Sequence, residues 1–88
     1  MPYVDQDRRL TSEQEKDLPI PQTTEELAYA FTKLSIRYAT QHDLSYQTIN
    51  DIVGALEGAK AEFVRRVVVP YEEKKLAENG DVYPRWML

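Results

Sequence analysis

The sequence predicts an all-α protein: an antiparallel helical hairpin with a short C-terminal helix and an extended N-terminal arm, completed by oligomerisation. Three observations carry this. From Ser45 to Val69, the residues Ile49, Ile52, Val53, Leu56, Ala59, Phe63 and Val67 recur at three- and four-residue steps, as on one apolar helix face. A second such pattern, Leu27, Phe31, Leu34 and Tyr38, precedes it. Only the short connection Gln41-His42-Asp43-Leu44 separates the two, which makes them antiparallel neighbours.

The chain of 88 residues is read as one small domain: an arm over 1–21, a helical body over 22–79 and a tail over 80–88. The arm, MPYVDQDRRLTSEQEKDLPIP, has little period and many charges. It leaves room for a short helical turn near Ser12–Lys16. Leu18-Pro19-Ile20-Pro21 must be extended, because proline disfavours helix at the residue before it. Tyr3, Val4, Leu10, Leu18 and Ile20 are the groups with which the arm can dock, the alternative being a loose tail.

Thr23-Thr24-Glu25-Glu26 reads as a capping box, with Thr23 as N-cap and Glu26 reaching back. The helix that follows runs to about Gln41 and is apolar on two sides, because Tyr29 and Ile36 lie opposite its main face. Ser45 caps the next helix, with Leu44 and Ile49 placed as a hydrophobic staple. Continued to Val69, that helix is about 37 Å long. Opposite its apolar stripe lie Gly54, Gly58 and Ala61, with Asp51 and Arg65 beside them. An exposed mid-helix glycine costs roughly 1 kcal/mol against alanine. Two of them one turn apart therefore point to an interface in which a backbone approaches closely; the alternative is a solvated helix that tolerates them. Pro70 should end or kink the helix. A last helix is expected from Pro70 to Gly80, with acids in its first turn and glycine as the stop. The tail Asp81–Leu88 reads as extended and rich in large apolar groups.

Composition narrows the function. The net charge of −4 argues against binding long nucleic acid. No cysteine is present for a disulfide or thiolate metal site, and no apolar run is long enough to span a membrane. Catalysis has little material. His42 is the single histidine, and His42-Asp43 reads as a loop histidine beside a capping aspartate rather than a metal-site dipeptide. Glu78 and Asp81 have the spacing of a Mg²⁺-holding pair but straddle Gly80. No phosphate-binding glycine loop and no serine–histidine motif occur. The expectation is no enzyme, no metal and no cofactor.

Binding has more to work with. Arg65, Arg66, Lys74 and Arg85 share the C-terminal half with Tyr71 and Tyr83, and Lys60, Lys75 and Trp86 lie among them. Arginine makes bidentate phosphate contacts and aromatic faces stack on bases, so the mixture suits a small anionic ligand such as a nucleotide. The plainer alternative is a solvated charged face with core aromatics, and Glu57, Glu62, Glu72 and Glu73 interleave with the basic groups.

Several stretches together resemble a known group. Asn50-Asp51-Ile52-Val53-Gly54-x-Leu56-Glu57, Lys60-x-Glu62-Phe63-x-Arg65-Arg66, Pro70-Tyr71-Glu72-x-Lys74 and Asn79-Gly80-Asp81-Val82-Tyr83, with the Met1-Pro2-Tyr3 start and Leu27-x-Tyr29, are similar to a family of small uncharacterised proteins of tailed phages and prophages. The resemblance implies a phage origin and nothing about chemistry. The expected function is then that of a non-catalytic phage accessory protein in the host cytoplasm. Such a protein would act by binding, as a counter-defence agent that sequesters a nucleotide signal or blocks a host protein. A virion structural or assembly component, or a nucleotide-metabolism enzyme, are the alternatives.

Overall fold

The computed structural model describes residues 4–88; Tyr3, offered above as a docking group, lies outside them. The protein is all-α, with no strand among the described residues. A 3-10 turn at Gln6–Arg8 precedes α1 (Ser12–Lys16), α2 (Thr24–His42) and α3 (Tyr46–Phe63). A π-helical segment, Val64–Val68, then leads into α4 (Val69–Asn79), and a 3-10 turn at Arg85–Met87 lies in the tail. Backbone contacts group the chain into two compact units that divide within α3, Met1–Ala55 and Leu56–Leu88.

In the first unit, local hydrogen bonds explain each boundary. Thr11 Oγ1 accepts from the Gln14 amide at 3.2 Å while the Gln14 side chain accepts from the Thr11 amide at 2.9 Å, a reciprocal capping box that starts α1. Thr23 Oγ1 accepts from the Glu26 amide at 3.1 Å and starts α2. That is the N-cap half of the box expected there. Asp43–Ser45 forms the turn into α3, and Asp43 takes a positive φ of 62°. Ser45 Oγ then accepts from the Thr48 amide at 3.2 Å, as an N-cap should. Leu44 remains 77 % exposed, so the expected staple with Ile49 does not hold this turn. Thr48 does. It is buried, and its hydroxyl donates to the His42 carbonyl at 3.4 Å.

The two helices are tied across the turn. Tyr38 lies four residues before the end of α2 and Asp51 five after the start of α3. The Tyr38 hydroxyl donates to Asp51 Oδ2 at 2.9 Å, and Gln47 Nε2 donates to Asp51 Oδ1 at 2.6 Å. Leu18–Pro21 and α2 line a common groove, so the end of the arm lies against this helix.

In the second unit, the chain does not leave the helical path at Pro70: a π-helical distortion precedes it, and Pro70 lies in the first turn of α4, which runs to Asn79. Proline lacks an amide proton, and its ring clashes with the carbonyl four residues earlier, here that of Arg66. The chain avoids the clash by widening its turn: the Val69 amide donates to the Val64 carbonyl, five residues back. Gly80 ends α4 with φ 83°, its amide donating to the Leu76 carbonyl at 2.8 Å. The tail is not wholly extended. Asp81 Oδ1 accepts from the Tyr83 amide at 2.9 Å, and Pro84 leads into the 3-10 turn.

No apolar side chain among the described residues is buried. Leu27, Phe31, Leu34 and Tyr38 stay exposed on one side of α2, and Tyr29 and Ile36 on the other.

Candidate functional site

The basic and aromatic residues singled out by the sequence all lie in the second unit. The π-helical turn sets the geometry of the first two, because its wider path changes the angle between successive side chains. Arg65 turns back onto Glu62. Its Nε and Nη2 both donate to Glu62 Oε1, at 3.1 and 3.0 Å, and Nη2 reaches Oε2 at 3.2 Å. The Glu62 side chain is 18 % exposed and that of Arg65 62 %. The carboxylate is therefore the anchor, and the guanidinium keeps a face toward solvent.

Beside this pair runs a shallow groove of 410 Å³, lined by Glu57, Lys60, Ala61, Val64, Arg65 and Val69. It joins Arg65 with Ala61, a residue read from the sequence as an interface position, and with Lys60. It mixes two cations, one carboxylate and an apolar floor, which suits a small ligand of low negative charge better than a dense polyanion.

The remaining site residues do not line this groove. Tyr71 lies on α4, where Lys75 rather than Lys74 covers it, with Nζ 5.6 Å from the ring centre. Lys75 also pairs with Glu78 at 3.4 Å. Tyr83 sits in the Asp81 turn, and Arg85 opens the 3-10 turn. Arg66 belongs to the π segment one residue after Arg65. Gly54 and Gly58 present open backbone: a Cβ built on either meets nothing within 4 Å in its own chain. Lys60 was legible as part of the basic cluster, but its place beside Arg65 depends on the helical register.

His42 is engaged at the end of α2. Its Nδ1 lies 2.9 Å from the Tyr38 carbonyl, and its ring stacks on Tyr38 with centres 4.1 Å apart and planes 17° apart. With its proton on Nδ1 it donates to the Tyr38 carbonyl, one turn back along α2. Among the described residues, no group of three or more histidines or carboxylates is placed to hold a metal ion. No helix among them is long and apolar enough to cross a membrane.

The profile of one protein family matches residues 1–82. The chain belongs to that family, described as a domain of unknown function (DUF6899). The match spans the arm, both helices of the hairpin, the π-helical turn and α4, so these features fall within the DUF6899 region. No curated protein and no solved structure matches the chain.

Proposed function

We propose that this DUF6899 chain is a phage accessory protein that acts by binding rather than catalysis, in the host cytoplasm and as a homo-oligomer. Its role is counter-defence: it sequesters a small anionic signal of the nucleotide class, or blocks a host protein. The observation that carries this reading is the groove at the π-helical turn, where Lys60 and the Glu62-anchored Arg65 flank an apolar floor. An arginine already oriented by a carboxylate loses less freedom when it grips a phosphate. Arg66, Tyr71, Lys74, Tyr83 and Arg85, which do not line the groove, are the further residues we assign to such a ligand.

Thermal unfolding with a panel of mono-, di- and cyclic nucleotides tests this, because a ligand specific for the folded state raises the melting temperature. Arg65→Ala or Arg66→Ala, though not both equally, should weaken binding at least tenfold, which corresponds to about 1.4 kcal/mol. Retained helicity by circular dichroism would show that the fold survives. Binding unchanged in both variants would remove the site from this turn.

The exposure of apolar side chains on both sides of α2 favours a second reading, a virion assembly component covered by other copies. No nucleotide stabilisation, together with the protein found in purified particles, would support it.

A further inference from the structure

We infer that α2 is the helix through which two copies of this chain pair, antiparallel and about a two-fold axis near Ala30 and Phe31. This rests on the homo-oligomeric reading above and names its surface. The observations lie within the first unit. A groove of 470 Å³ runs along α2, walled on one side by Leu18–Pro21 and on the helix by Leu27, Ala30, Phe31 and Leu34. Leu27 and Leu34 are both exposed there.

The charges on the same face are segregated. Glu26 stands at its N-terminal end, and Lys33 and Arg37 toward its C-terminal end. Among the described residues, neither Glu26 nor Arg37 makes an ion pair within its own chain. Reversing one copy of α2 against another places Glu26 opposite the partner's Arg37. The midpoint of that pair falls between residues 31 and 32, and the midpoint of Leu27 and Leu34 between 30 and 31. The two pairings differ by a two-residue step of register, about 3 Å along the helix, which the long glutamate and arginine side chains can span, so one packing sets leucine against leucine and carboxylate near guanidinium, twice over by symmetry. Ala30 at the centre lets the backbones approach. A parallel pairing would set like charges side by side, which antiparallel pairing avoids.

The test is charge exchange, read by light scattering and sedimentation at micromolar concentration. The native chain should show a dimer or an even multiple of it. Glu26→Arg and Arg37→Glu should each weaken association at least tenfold, and the double exchange should restore it to within a few-fold. In a chain without cysteine, Ala30→Cys should give a disulfide-linked pair on mild oxidation, because its Cα atoms meet across the axis within the roughly 4.4–6.8 Å a disulfide needs. Ala28→Cys, on the opposite side of α2, should not. Circular dichroism separates lost association from lost helix. An oligomer indifferent to both charge changes, and cross-linked equally at either cysteine, would overturn the α2 pairing and leave the homo-oligomer standing. A native monomer would overturn both, including one that retains a different protein on this face.

Discussion

Tyr38 shows how single residues join the elements of this chain. Its hydroxyl donates to Asp51, its carbonyl meets His42, and its ring carries the imidazole. The phenol is raised above its ordinary value of 10.0, first by the hydrogen bond to Asp51, then by burial, then by the negative charge of Asp51. The sign follows from which form the fold prefers. Folding favours the protonated phenol, so this contribution is fully present below about pH 10 and is lost as pH rises through the raised value. Tyr38→Phe should therefore lower the melting temperature at neutral pH, and the difference from the native chain should vanish in strong alkali. Ultraviolet titration should show a phenol, absent in Tyr38→Phe, ionising above the ordinary value of 10.0. A Tyr38→Phe variant with native stability at neutral pH would mean that water replaces the bond without loss. Tyr38 was legible as an apolar helix position. Its bond was not, because it depends on the turn at Asp43, whose positive φ no motif announces.

At the scale of the element, helix starts and stops were the most legible features. Thr23, Ser45 and Gly80 act where the sequence placed them, because a cap is satisfied within a few residues of its own position. The short helix at Ser12–Lys16 also formed where the arm left room for it, started by Thr11 and Gln14. Pro70 was read as ending or kinking the helix and opening the last one; it does open α4, but the chain stays helical through it by way of the π-helical turn. Proline removes one hydrogen bond, but an i→i−5 turn sets the ring clear of the earlier carbonyl, and flanking helix supplies the rest. Restoring the amide with Pro70→Ala should let the segment relax to α-helix and raise stability by about 1–3 kcal/mol, measured by denaturant unfolding. It would also rotate Arg65 relative to α4, so ligand binding at this turn should fall while stability rises. A loss of stability instead would mean that the wide turn makes contacts worth more than the missing bond.

For the molecule as a whole, the missing apolar interior is the chief observation. Among the described residues Thr48 alone is buried, at 3 % exposure. Isolated helices are marginal in water, and most of their stability comes from packing an apolar face. The glycines probe the other side of α3. Since a Cβ at Gly58 meets nothing within 4 Å, Gly58→Ala should stabilise the chain by roughly 1 kcal/mol. Gly58→Leu should reduce the assembled mass or weaken ligand binding if a neighbouring backbone lies there in the oligomer. Native mass, native binding and a native melting temperature in Gly58→Leu would make the strip plain solvent-facing helix.

By itself the sequence determined the helical class, the two-sided apolar pattern of α2 and the positions of the caps, because periodicity and capping are local and survive without knowledge of neighbours. Tertiary structure decided what those patterns meet. Arg65 closes on Glu62 and shares a groove with Lys60, while Tyr71 takes Lys75. The first depends on a helical register that the π-helical turn shifts, which spacing does not carry across such a turn, and the second is one of two neighbouring lysines chosen by the angle at which each leaves α4.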